Sequence, residues 1–192
     1  MEERRSLTFL EVFYNTLFEP IPEFQTLGGL SPMPNGLLWG AVGLIALVSL
    51  VNGLTWEGGL AVLPVQIILG LLGWVFVTGL IALIAYITRG DGRFKTLLVL
   101  TALADAPLIF LAPLALIQHL GGVWGFLAGV VTLLPVGWSF WLYALAIAST
   151  YGISLLRAFL LLLLPMIAVF FFFALLFATF WGFLFAALFG GR

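Results

Sequence analysis

Apolar residues fill most of this chain in runs too long for the amphipathic elements of a water-soluble domain, broken only by short clusters of charge, glycine and proline. A helix needs roughly 20 largely apolar residues to cross the hydrocarbon layer of a bilayer. Five runs meet that length. The first extends from Gly36 to Leu54, after the breaker-rich Gly28-Gly29-Leu30-Ser31-Pro32-Met33-Pro34-Asn35, and ends at Asn52-Gly53 and Glu57-Gly58-Gly59. The second covers Leu60 to Thr88 and stops at Arg89-Gly90-Asp91-Gly92-Arg93. The third lies between Phe94 and Gln118, the fourth within Val123 to Thr150, and the fifth within Ser154 to Phe189.

Two of these runs do not fit one upright span. The stretch from Gly121 to Tyr151 is too long for one and too short for two, and the pattern predicts a single tilted helix kinked at Pro135. The last run would be roughly 54 Å long at 1.5 Å per residue, against a hydrocarbon core of about 30 Å. It must kink at Pro165, project from the bilayer, or fold back as a re-entrant pair.

A different period precedes the first span. Thr8-Phe9-Leu10-Glu11 has the form of a capping box, and Leu10, Phe13, Tyr14 and Leu17 fall at i, i+3, i+4 and i+7 before Pro20 and Pro22 end the pattern. This predicts a short amphipathic helix, lying in the cytoplasmic interface or covering the inner mouth of the bundle. The chain therefore divides into an N-terminal cytoplasmic segment, residues 1–35, and a five-helix transmembrane domain, residues 36–192. The fold class is all-α, a polytopic membrane bundle.

Composition sharpens that reading. Hydrophobic residues make up 64% of the chain and charged residues 8%, where a soluble domain carries about 25% charged residues. The mean hydropathy is +1.25. Too few polar side chains exist to cover a globule of this size in water, so lipid is the solvent. A net charge of −1 offers no basic field for nucleic acid. With no cysteine and a single histidine, thiolate chemistry and a metal centre have no ligand set, and no cofactor is expected.

Basic residues stay preferentially on the cytoplasmic side. With the N-terminus inside and five spans, Arg4, Arg5, Arg89, Arg93, Lys95 and Arg157 all fall on cytoplasmic segments, and only Arg192 lies outside. The turn of Arg89, Asp91, Arg93 and Lys95 is then a cytoplasmic loop. This places the C-terminus outside.

Helices in lipid associate through close packing at small residues. Ala174, Ala178, Gly182, Ala186 and Gly190 recur every fourth residue in the last run and mark a packing face, used within the bundle or between copies. Partners expected from this pattern are membrane lipids and a second copy or another membrane protein. Most tryptophans and tyrosines, Tyr143 among them, read as interfacial anchors, whereas Trp74 and Trp141 lie nearer mid-span.

Asp105 is the one ionisable residue placed well inside the membrane. An isolated charge there is expensive, so the residue must be neutralised, paired, or turned toward a polar cavity. Pro107, two residues on, removes a backbone donor and frees a carbonyl, which adds polarity to the same turn. Together with Gln66 and Thr101 these residues form a candidate intramembrane polar site. It serves as a protonatable or cation-coordinating centre, or as an interhelical hydrogen bond that fixes packing. No catalytic constellation accompanies it: the nucleophile elbow, phosphate loop and metalloprotease helix motifs are all missing.

Several segments in order resemble the Yip (Ypt/Rab-interacting protein) domain family of five-span membrane proteins. They are Phe18-Glu19-Pro20 with Phe24, the turn Arg89 to Phe94 leading into Ala104-Asp105-Ala106-Pro107, the run Trp138-Ser139-Phe140-Trp141-Leu142-Tyr143-Ala144-Leu145, and Tyr151-Gly152-Ile153-Ser154-Leu155-Leu156-Arg157-Ala158. The resemblance implies a cytoplasmic N-terminus, five helices and an exterior or lumenal C-terminus. Eukaryotic relatives are implicated in Rab GTPase binding and vesicle traffic. This chain has only a short segment before its first span, which resembles the prokaryotic branch and argues against Rab-type GTPase binding. The expected function is a nonenzymatic scaffold or membrane-organising role; the alternative is a small permease, channel or lipid-moving protein using the site around Asp105 and Pro107.

Overall fold

A computed structural model describes residues 8–55, 59–89 and 93–189. Helices α1 (Phe9–Phe18) and α2 (Pro20–Gly28) come first, then α3 (Asn35–Gly53) and a 3-10 turn at Gly59–Val62 leading into α4 (Leu63–Arg89). Helix α5 (Phe94–Ala104) passes through a second 3-10 turn, Ala106–Phe110, into α6 (Leu111–Gln118). Helices α7 (Gly122–Val131), α8 (Leu133–Tyr151) and α9 (Leu155–Phe189) complete the order. Among the described residues no strand occurs.

Four stretches are long and apolar enough to cross a membrane: Asn35–Gly53, Leu63–Ile87, Phe94–Gln118 and Gly122–Tyr151. The apolar start of the last helix, Leu155–Leu164, is shorter than a span by itself, but α9 continues unbroken to Phe189. Of the three outcomes expected for this run the re-entrant pair is overturned, since the run is one continuous helix of 35 residues. At 1.5 Å per residue it exceeds the hydrocarbon core and must tilt or project.

The fourth run remains one candidate span, Gly122–Tyr151, and breaks where Pro135 leads one to expect, one turn before the proline, which has no N–H for the Val131 carbonyl. The discontinuity falls at Thr132, between α7 and α8, and Pro135 sits in the first turn of α8. Proline is tolerated there because the first four backbone N–H groups of a helix have no partner within it. Gly121 and Gly122 take φ of 68° and 56° at the turn before α7, a region glycine reaches without steric penalty. Gln118 caps this hairpin by donating from Nε2 to Thr132 Oγ1 at 3.0 Å.

The N-terminal segment departs most from the pattern. Thr8 makes no side-chain capping bond, and Pro20 and Pro22 open a second helix instead of ending the structure. Proline's fixed φ suits a first helical turn as well as it opposes an interior one. The 3.6-residue period survives, but the buried face is rotated from the one predicted. Val12 and Thr16 are fully buried, while Leu10 and Tyr14 are exposed; Phe13 and Leu17 pack at the edge of the core. Val12, Phe24 and Leu27 join α3, α5 and α8 in a single cluster, so α1 and α2 cover the bundle rather than stand apart from it.

That cluster centres on α5, which is buried at every position from Thr96 to Ala104 and packs against α2, α3, α4 and α8. A second cluster joins Ile81 and Ala85 of α4 to Leu97, to Ala144, Ile147 and Tyr151 of α8, and to Ala158 and Leu162 of α9. Alanine at 102, 104, 144 and 146 lets these backbones approach closely. Backbone meets backbone where Gly28 of α2 lies on α8, and an added Cβ there would sit 2.7 Å from the Ser149 carbonyl oxygen.

Candidate functional site

Pro107 has no N–H to return to the carbonyl one turn earlier, and the backbone tightens into the 3-10 turn at Ala106–Phe110. Asp105 stands at that break. Its own N–H is satisfied by the Thr101 and Ala102 carbonyls, at 3.2 and 3.1 Å, and its carbonyl accepts from Leu108 N–H at 2.9 Å. The partly buried carboxylate accepts a hydrogen bond from the Tyr143 hydroxyl, 3.0 Å from Oδ2. One turn of the break is also tied to α3, because Asn52 Nδ2 donates to the Leu108 carbonyl at 3.2 Å and to its own helix at the Val48 carbonyl at 2.9 Å.

Thr101 belongs to a separate polar cluster. Its hydroxyl donates to the Leu98 carbonyl at 3.1 Å and accepts from the Trp74 indole N–H at 3.0 Å. Thr78 Oγ1 lies 2.9 Å away; with the Thr101 proton already committed, Thr78 is the donor. All three side chains are buried. This cluster staples α4 to α5, while the Asp105 and Tyr143 pair joins the end of α5 to α8.

The four residues predicted to share one polar site are therefore divided. Asp105 and Pro107 act together, Thr101 belongs to the cluster with Trp74 and Thr78, and Gln66 packs beside Gly53 at the foot of α4, its Cβ and Cγ each 3.4 Å from where a Cβ on that glycine would sit. One contributor reads otherwise from the sequence. Tyr143 has the aromatic, amphipathic character of an interfacial anchor, yet α8 carries it to mid-span. Trp74 was recognised as lying inside the bundle, and the signal for its partner was a threonine at mid-span on each of two successive runs.

Of the predicted cytoplasmic turn, Arg93 and Lys95 are exposed. Arg93 donates from one guanidinium nitrogen to the Gly28 carbonyl at 3.1 Å, closing the C-terminal end of α2. The side chain of Arg89, like all of Asp91, lies outside what is described. On the last helix Ala174 and Ala178 are exposed, so among the described residues nothing covers that portion of the small-residue stripe. The surroundings of the Gly182 and Ala186 side chains, and the whole of Gly190, lie outside the described residues.

One further polar group is buried outside the spans. Glu23 of α2 accepts from Asn15 Nδ2 of α1 at 3.0 Å through Oε2, while Oε1 is buried and has no hydrogen-bond partner among the described residues. Burial raises its pKa above the usual carboxylate range; the Asn15 hydrogen bond lowers it in part, and the negative charge of Glu11 raises it further. No group of three or more His, Cys, Asp or Glu residues suited to a metal occurs among the described residues.

Apolar helices of spanning length, joined internally by small residues and a few satisfied polar side chains, define an α-helical integral membrane protein. Within that class the chain belongs to the Yip1 domain family, whose model matches residues 14–177. The matched region takes in part of α1 and all of α2 together with the spans, and it includes the Asp105 and Tyr143 pair. Neither a curated protein nor a solved structure matches the chain.

Proposed function

We propose that this protein is a nonenzymatic membrane-organising component, acting through its helix surfaces on lipid and on neighbouring membrane proteins. The observation that carries this reading is the use of the intramembrane polar side chains. Thr78, Thr101 and Trp74 bond to one another, Asn52 to the Leu108 carbonyl, and Tyr143 to Asp105. A conduction path aligns such groups along a continuous wet surface, whereas here they form separate interhelical staples. The proposed topology has five spans, with α9 as the fifth, a cytoplasmic N-terminus and an exterior C-terminus in a prokaryotic inner membrane. The exposed Ala174 and Ala178 support contact with a second copy through α9.

The opposing reading, a small permease or lipid mover, draws on Asp105 lying at a helix break, a common setting for ion sites in transporters. Reconstituted liposomes separate the two. Wild-type protein is expected to give the same proton, potassium and lipid-reporter flux as protein-free vesicles. Flux above that level, abolished by Asp105→Asn, would overturn the membrane-organising reading in favour of transport.

A further inference from the structure

A groove of about 450 Å³ runs between α2 and α8, outside the polar staples. Ile21 and Gln25 of α2 form one wall, and Trp141, Leu145 and Ser149 of α8 form the other, with Gly152 at its end. From Trp141 to Gly152 the groove follows α8 for roughly 16 Å at 1.5 Å per residue. One leaflet's share of the hydrocarbon core is about 15 Å.

The two ends differ in chemistry. Trp141 and Leu145 line the deep end, whereas Gln25 and Ser149 line the end near the helix termini. A basic side chain is held beside that second end. Arg93 reaches the Gly28 carbonyl, and Gly28 in turn packs directly on Ser149. The guanidinium is thereby held within one residue of the groove wall, and only one of its five N–H donors is needed for that carbonyl. Lys95 lies in the first turn of α5, two residues after Arg93, and Arg157 in the first turn of α9, two residues after Leu155, itself part of the lining. Glu23, the acid on α2, is not among the lining residues and accepts a hydrogen bond from Asn15 of α1.

We infer that this groove holds an anionic phospholipid, one acyl chain lying along α8 between Trp141 and Ser149 and the phosphate at the basic end beside Arg93. The length of one leaflet, an apolar floor and a cationic mouth are what such a lipid requires. A zwitterionic lipid satisfies the floor equally well but gains less from the mouth, since each nearby Lys or Arg favours an anionic surface. The site lies off the Asp105 and Tyr143 pair and stands whether the bundle organises membranes or conducts.

The test is native mass spectrometry of the full chain, delipidated in mild detergent and titrated with phosphatidylglycerol or phosphatidylcholine of matched chains. One phosphatidylglycerol should bind about tenfold more tightly than phosphatidylcholine. Ala148→Phe, which fills the groove from α8, should abolish that single binding event. Ile21→Trp fills it from the partly exposed α2 side and should do the same if Ala148→Phe fails to fold. Arg93→Gln combined with Lys95→Gln should leave chain binding in place and remove the preference. Equal binding of the two lipids by wild type would overturn the inference, as would full retention in a folded groove-filling variant.

Discussion

Helices α5 and α9 are both apolar, yet they relate to their surroundings in opposite ways. Every residue of α5 from Thr96 to Ala104 is buried by protein. On α9 burial is described only near its beginning, at Ala158 and Leu162, and farther along Leu175, Leu176, Phe177 and Phe180 are exposed. In water such a surface would be a liability. In lipid it costs little, because the medium is as apolar as the side chains. Hydropathy therefore does not rank these helices, since it records transfer out of water, which both complete. What separates them is contact with other helices: α5 carries a hydrogen-bonding threonine, ends at the hydrogen-bonded Asp105 and meets small residues on its neighbours, whereas the described later part of α9 presents bulky residues and an exposed alanine pair.

The largest effect that would break this comparison comes from removing bulk at equivalent apolar positions. Leu103→Ala on α5 should destabilise the protein by roughly 1–3 kcal/mol. This lies below the usual cost of a buried leucine in a soluble core, because lipid already supplies the transfer part and only lost packing remains. Leu176→Ala on α9 should stay within about 0.5 kcal/mol of wild type. Equilibrium unfolding in mixed micelles measures both. Equal losses would show that α9 is packed as tightly as α5, as in an oligomer that survives detergent.

The next effect concerns polar staples. Thr101→Val leaves the Trp74 indole N–H and the Thr78 hydroxyl without their shared acceptor. The expected loss is about 1 kcal/mol, with coupling to Thr78→Val of roughly 0.6–1.7 kcal/mol in a double-mutant cycle, the range of interhelical hydrogen bonds in membranes. No such coupling should appear for Thr179, whose hydroxyl bonds only within α9, to the Leu176 carbonyl. Zero coupling between 101 and 78 would mean that the two helices are held by packing alone.

These contrasts explain which features could be read from the chain. The spans announced themselves because apolar length is a one-dimensional property, and the break at Asp105-Ala106-Pro107 did so because proline acts on its own backbone. Tyr143 gave no such signal: its role depends on α8 lying against the end of α5, a long-range arrangement that periodicity does not encode. At Thr132 the break is legible for the same reason as at Pro107, since Pro135 leaves the Val131 carbonyl without its helical donor, and only the Gln118 hydrogen bond to Thr132 was hidden. On α1 the period was legible but the phase was not. Leu10 and Tyr14 are as apolar as Phe13 and Leu17, and only the position of α3, with the Phe9 ring filling the space beside Gly40, decides which flank faces inward.

The smallest expected effect tests whether the N-terminal helices share the packed character of α5. Glu23 has a raised pKa in the folded protein, caused first by burial, so its ionised form is disfavoured by folding. Below the unfolded value of 4.5 the group is protonated in both states and exerts no penalty. As pH rises the unfolded chain ionises first, stability falls, and the loss is complete once the folded group has ionised as well. Glu23→Gln removes this step while keeping an acceptor for Asn15. The variant should match wild type in Tm at pH 4 and exceed it slightly at pH 7.5, the gain being small because the residue is only partly buried. All other titrations cancel in the difference between the two proteins. A difference that stays constant with pH, or a wild type that is the more stable at pH 7.5, would mean that α1 and α2 leave Glu23 in water and do not seal against the bundle.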